Sequence, residues 1–302
     1  MSSRYSRPAV SGSGSGGLAL LLLLASCALP APGPAPALPP APVIDDRPRS
    51  EADRKADRIR RDVPEGLPFV AGWSVENRPI HYRIYGRGAE LVLVIGAIHG
   101  DEPASARLVD GLARHLEDHL RLLEGRTVAL CAVANPDGLA RGTRWNARGV
   151  DLNRNYPTVN FLPAHRHGPR PLSEPESQVL ADLVTVLRPA RVLSVHQPLD
   201  CIDHDGPAHE LAEAMQAQTH LRLRKLGAQP GSLGSYVGET LGIPIVTLEL
   251  PAGASDRSEA DLWWLYRRAV LAFVLYPGAA AESGRQEPAG EPGSVRAAGS
   301  FR

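Results

Sequence analysis

His99 and Glu102 stand three residues apart in the stretch GAIHGDEP, directly after the apolar run LVLVI. An imidazole and a carboxylate at that spacing, on a turn leading into a helix, can face one point and offer a nitrogen and an oxygen to a divalent cation. A catalytic zinc takes three protein ligands and leaves a fourth position for solvent, so a distant histidine is needed to close the set. His196 is the best candidate: it follows RVLSV as His99 follows LVLVI, which would bring both rings out of the same edge of a sheet. Glu249 lies in the apolar run IVTLELP, where a carboxylate is costly unless it has a partner or a task. Taken alone the H-x-x-E pattern is weak, because helix starts attract acidic residues for dipole reasons. HLEDH, from His115 to His119, has two histidines at helical spacing but lacks the glutamate beside the first that a helical zinc motif requires. It reads as an exposed helix face, and His165, His167, His204, His209 and His220 read as solvated residues of polar stretches.

The elements that must position these residues follow from pattern. FVAGWSVENRPIHYRIYG reads as two strands around a turn at Glu76 and Asn77, and Leu91 to Ile98 as a third. A helix is expected from Pro103 to His119, with proline at an early position where its missing N–H costs nothing. Thr127 to Val133 reads as a strand, and Asn135 to Gly138 has the N-P-D-G composition of a turn, which favours a conformational role. Ser173-Glu174-Pro175-Glu176 reads as a capping box opening a helix that ends near Arg188-Pro189. A strand from Arg191 to Val195, a helix from Pro207 to Gln218, a strand from Ile245 to Leu250 and a final helix capped by Ser258 complete the series. Strands alternating with helices predict an α/β fold, an α/β/α sandwich with a mixed central sheet. In such sheets ligands bind beyond the carboxyl ends of the strands, where His99, Asn135, His196 and Glu249 fall.

The ends of the 302-residue chain differ from its middle. Arg4 and Arg7 precede LALLLLLAS, which is too short for a permanent membrane span and reads as a signal peptide over residues 1–27. Its end, Leu24-Ala25-Ser26-Cys27, resembles a bacterial lipobox, so lipidation of Cys27 would anchor the mature chain on the periplasmic or extracytoplasmic side of a membrane. Residues 28–62 form a Pro/Ala-rich and then charged linker, 63–278 the catalytic domain, and 279–302 a tail with the composition of disorder. Lys plus Arg and Asp plus Glu number 33 each, so no net field argues for a nucleic-acid partner. Cys131 and Cys201 are the remaining cysteines, and two buried thiols are favoured over a disulfide.

The segment NPDGLARGTRWNARGVDLNRNYP, taken with HGDE, SEPES, the isolated SVH and TLELP, resembles the zinc carboxypeptidase family across nearly the whole domain and in the family's order. The forms HGDEPASA and GTRWNARGVDLNRN are most similar to its murein tripeptide amidase branch, which cleaves between γ-D-glutamate and meso-diaminopimelate in cell-wall peptides. The resemblance implies one Zn2+ held by His99, Glu102 and His196, with Glu249 as general base. It also implies that Asn153 and Arg154 hold the substrate's terminal carboxylate, and that Arg144 stabilises the oxyanion, with Arg148 close by in sequence. Arginine suits such roles because its planar fork matches a carboxylate. Asp151 is expected to fix the loop or a ligand imidazole. One departure stands out: LGAQPGSLGS lacks the mobile tyrosine of digestive carboxypeptidases, and Tyr236 is assigned to the next helix. The segment HQPLDCIDHDGP is expected to shape the pocket, with Asp200, Asp203 or Asp205 as candidates for a diaminopimelate amine, although for any one of them a solvated turn is the favoured reading. A zinc amidase on murein peptides is therefore the expected function. The alternatives are a general metallocarboxypeptidase, an N-acyl amino acid deacylase and an inactive peptidoglycan-binding lipoprotein.

Overall fold

The computed structural model describes residues 62–277. The expected signal peptide, Cys27, the proline-rich spacer and the C-terminal tail lie outside the described residues. Apolar runs that can be buried on both faces form the middle of a sheet. β3 (Glu90–Ile95), β4 (Arg126–Cys131), β5 (Arg191–His196) and β8 (Ile245–Pro251) are its parallel strands. β1 (Phe69–Trp73) and β2 (Pro79–Tyr85) extend one side antiparallel, while β6 (Leu199–Asp205) and β7 (Arg222–Leu223) extend the other. The order is β1-β2-β4-β3-β5-β8-β6-β7, a mixed eight-stranded sheet.

Helices α1 (Pro103–Asp118), α4 (His209–Gln216) and α5 (Glu259–Leu275) cover one face, burying Leu108, Leu112, Leu211 and Phe273 against Val94, Leu193 and Val246. On the other face α3 (Pro175–Leu187) buries Leu180 and Val184 with Leu93, Val192 and Tyr156. This is the expected α/β/α sandwich. Each fully buried aliphatic side chain contributes roughly 1.5–3 kcal/mol relative to exposure. The two cores therefore fix the sheet, whose carboxyl edge carries the chemistry. At the opposite edge the buried Arg191 guanidinium donates to the carbonyls of Phe273, Val274 and Tyr276 at 2.9–3.0 Å and pairs with Glu90 at 2.5 Å, fastening the end of α5 to the start of β5.

Several expectations are corrected. β3 stops at Ile95 rather than Ile98, because the chain turns at Ala97, whose φ is +42°. That left-handed residue is held by its N–H to Ser105 Oγ and by its carbonyl, which accepts from Asn135 N–H. The N-P-D-G segment is a short helix, α2 (Pro136–Arg141), capped by Asn135 Oδ1 accepting from Gly138 N–H. Ser173 and Glu176 do not form a capping box: Glu174 is the N-cap of α3 and makes no side-chain cap bond. The Glu176 carboxylate instead accepts from Val75 N–H and Asn146 Nδ2, so tertiary partners outcompeted the local cap. β6 was not expected as a strand, since Asp and His are poor strand formers. Its backbone pairs with β8 over Leu199 to Asp205 nonetheless.

Gly100 follows the first candidate ligand and packs directly on α2. A Cβ there would lie 1.9 Å from the Gly138 carbonyl carbon, in the backbone of a capped helix that cannot give way. Gly100→Ala is therefore expected to lower unfolding free energy by about 1–3 kcal/mol. Chemical denaturation of the purified variant checks this, and a change below about 0.5 kcal/mol would mean that the two segments are not locked together.

Candidate metal centre and active site

His99 leaves the β3 end through the Gly96–Ile98 turn, which Asn135 braces from the β4 end by donating its Nδ2 to the Ile98 carbonyl. Glu102 sits at the N-cap of α1, and His196 is the last residue of β5. β3 and β5 are neighbours whose chains continue to opposite sides, the switch point where a crevice opens in such sheets. All three side chains are buried. His99 Nδ1 lies 2.7 Å from Glu102 Oε1, His196 Nδ1 lies 3.0 Å from Glu102 Oε2, and the two Nδ1 atoms are 3.2 Å apart. The three residues offer ligand atoms within 4.8 Å of one another, and among the described residues they form the single such group of His, Cys, Asp and Glu.

Two imidazole nitrogens aimed at each other beside a carboxylate require a proton or a cation between them. Burial works to lower the His99 pKa, but the Asp151 and Glu102 carboxylates outweigh it and raise the ring to about 9. Burial likewise works to raise Glu102, yet His196 and His99 hold it down at about 2. The cluster is thus a buried anion-plus-imidazole set that favours positive charge at its centre, and its two-nitrogen, one-carboxylate composition fits zinc.

Asp151 supports this set, as its position in GVDLNRN implied. Its Oδ1 lies 3.1 Å from His99 Nε2 and accepts from Asn153 N–H, while its Oδ2 accepts from Arg144 Nε at 3.0 Å. A carboxylate on the far nitrogen fixes the ring's orientation and leaves Nδ1 to the metal. Burial works against the Asp151 charge, but His99 and Arg144 keep its pKa below the ordinary range. Arg144 also places Nη1 3.5 Å from Glu102 Oε1, at the mouth of the cluster. Arg148 turns away toward Glu174, at 3.5 Å, which separates the two arginines the sequence left close.

Glu249 pairs in register with His196 across β5 and β8. It is 8% exposed and makes one long hydrogen bond, accepting from Leu199 N–H at 3.4 Å. Burial raises its pKa, and the nearby Glu102 charge adds to that against the pull of His196. Asn153 Oδ1 accepts from Leu233 N–H, so its side chain also holds the loop that precedes Tyr236. Arg154 is half-buried and donates to the Asn153 carbonyl, and no carboxylate lies within ion-pair distance of it among the described residues. Burial lowers its pKa, with Asp151 opposing and Arg144 reinforcing the shift.

Other candidates separate from this centre. His115 in the last turn of α1 and His119 at its C-cap stack on each other at 4.2 Å, with His119 exposed. Cys131 and Cys201 are buried free thiols. Tyr236 lies in a π-helical turn, Ser235–Thr240, where its ring stacks on Tyr156 at 5.7 Å and is buried. Asp200 is exposed, whereas Asp203 and Asp205 are buried, so the solvated-turn reading fails for the last two.

Comparison with known proteins agrees with this geometry. The zinc carboxypeptidase family matches residues 56–198. Murein peptide amidase A of Escherichia coli (strain K12) is 36% identical over 198 residues, covering 59% of this chain and 78% of that protein. Its counterpart in Vibrio campbellii is 33% identical over 183 residues, covering 54% of this chain and 71% of that one. The crystal structure of the murein-tripeptide amidase MpaA from Escherichia coli O157 superposes with a TM-score of 0.56 at 31% identity, covering 71% of this chain and 94% of that one. A carboxypeptidase A from Helicoverpa armigera shares the fold, with a TM-score of 0.59 at 19% identity and coverage of 78% and 72%. The chain belongs to the zinc carboxypeptidase family of hydrolases.

Proposed function

We propose that this chain is a zinc-dependent amidase that hydrolyses the bond between γ-D-glutamate and a C-terminal diaminopimelate in murein peptides. The convergence of His99, Glu102 and His196 within 4.8 Å, beside Glu249, carries the hydrolytic reading. Similarity to the murein peptide amidases supports the substrate class. His99, Glu102 and His196 would hold one zinc ion per chain, which when bound acidifies water and polarises a carbonyl.

The chain's own groups supply the rest. Glu249 accepts the proton of the attacking water and returns it to the leaving amine, a transfer for which its raised pKa suits it better than an ordinary carboxylate. Arg144 faces the mouth of the cluster, where negative charge develops on the carbonyl oxygen, and Asp151 keeps its guanidinium in place. Arg154, a half-buried cation without a carboxylate partner among the described residues, fits the terminal carboxylate of the substrate, with Asn153 beside it. The lipobox-like Leu24 to Cys27 supports export and lipid anchoring where murein peptides occur.

Zinc-loaded enzyme is expected to release diaminopimelate from L-Ala-γ-D-Glu-diaminopimelate, to stop on chelation and to recover on addition of zinc. Turnover indifferent to the chelator would overturn the metal mechanism. Glu249→Gln is expected to lower kcat by roughly 100- to 10,000-fold. Its zinc content, read by elemental analysis, should be unchanged, and retention of full activity would remove Glu249 from the mechanism. Arg144→Ala should reduce kcat about 100-fold or more with little change in KM. Arg154→Ala should act mainly through KM, and steady-state kinetics on the two variants must show that split. Cys27→Ala in the full-length chain is expected to move the protein from the membrane to the soluble fraction after cell fractionation.

A further inference from the structure

The first four N–H groups of a helix have no partner inside it, and the side chain at the N-cap ordinarily accepts from one of them. Glu102 holds that position on α1 and makes no such bond. Its carboxylate is committed instead to the rings of His99 and His196. The helix must therefore find other acceptors. Glu102 N–H donates to the His99 carbonyl, Pro103 has no N–H, and Ser105 N–H donates to the Glu102 carbonyl. That leaves the N–H of Ala104, a residue fully buried from solvent.

It donates to the side chain of Gln197, whose Oε1 lies 3.3 Å away. Gln197 directly follows the ligand His196 at the end of β5 and is 6% exposed. The Ala104 donor fixes which end of the amide is oxygen, so Nε2 is free to donate to Ser255 Oγ at 3.1 Å. Ser255 lies in the short helical turn Ala252–Asp256, which continues the chain from the β8 strand of Glu249. The Ser255 carbonyl accepts from Arg107 Nη2 at 2.7 Å, so this turn is also fastened to α1. One amide thus joins the segments that carry His196, Glu102 and Glu249. Nothing in SVHQPLD marks it, because its partners lie 93 and 58 residues away in the chain.

Resting on the metal reading of His99, Glu102 and His196, we propose that Gln197 is a positioning residue that caps α1 from the neighbouring strand and so leaves the Glu102 carboxylate free to serve as a ligand. A carboxylate at a helix start is drawn to the unpaired N–H groups and the positive end of the dipole. Without the Gln197 oxygen, a buried donor is left without an acceptor, which is costly, and Glu102 stands at the position whose side chain ordinarily supplies one. A carboxylate turned back onto its own helix has to break that bond before it can hold a cation, and metal affinity falls accordingly. The strand end that delivers one ligand ring also removes the competitor for the ligand carboxylate.

The test is the zinc affinity of the full-length protein, measured by competition with a chelator and independent of turnover. Gln197→Met keeps the length of the side chain and neither of its bonds, and is expected to raise the zinc Kd about 10- to 100-fold. Gln197→Glu keeps an oxygen for Ala104 N–H and should bind zinc within about three-fold of the unmutated protein, or more tightly. With zinc saturating, KM for the tripeptide should change by less than about two-fold in both variants, and a larger change would place Gln197 against substrate and overturn the assignment. A zinc Kd for Gln197→Met within about three-fold of the unmutated value overturns the proposal, as does an equal loss in Gln197→Glu. Should the methionine variant not fold, amide exchange in the unmutated protein decides: Ala104 N–H exchanging as fast as in an unfolded chain overturns the cap, and slowing by about 100-fold or more upholds it. An unmutated protein that takes up no zinc overturns the metal reading itself, and this role of Gln197 with it.

Discussion

The structure turns on one electrostatic problem: His99 Nδ1, His196 Nδ1 and the Glu102 carboxylate are brought within 2.7–3.2 Å of one another inside the protein. Lone pairs crowded in this way repel unless positive charge sits among them, so the sheet spends its packing stability on holding a cation-seeking set together. Every neighbouring feature serves that end. Asn135 braces the loop of one ring, Asp151 orients that ring from behind, and β5 carries the other ring in register with Glu249. Asp151 also grips Arg144, which ties the orientation of a ligand ring to the position of the cation at the mouth of the cluster.

Much of the architecture is legible in the sequence because apolar runs and turn residues agree with it. LVLVI, RVLSV and IVTLEL are buried parallel strands, and their carboxyl ends are where ligands collect in such sheets. His99 and His196 could be matched because each ends such a run, and Glu249 stands out as a charge among aliphatics. Arg144 could not be separated from Arg148 by spacing alone; that distinction depends on Asp151 drawing one arginine in while Glu174 draws the other away.

What was not legible arises where tertiary partners outweigh local preference. LDCIDHD has the composition of a loop, yet it pairs along β8 and buries Asp203 and Asp205. Ser173 and Glu176 are spaced as a cap, but Glu176 answers Val75 and Asn146 across the fold. In both cases polar residues were read as solvated or local when they serve long-range contacts, and no periodicity records such contacts.

Arg191 gives β5 a property that the ligands alone would not. Its guanidinium grips the last turn of α5 at the strand's first residue, while its final residue, His196, joins the cluster. The strand is moored at both ends like a beam between two walls. Sliding it along its neighbours would strip the guanidinium of its carbonyls at one end and withdraw the imidazole at the other. A misaligned sheet is thus penalised twice, and the position of a ligand atom at the top edge is set partly by a charge five residues away at the bottom.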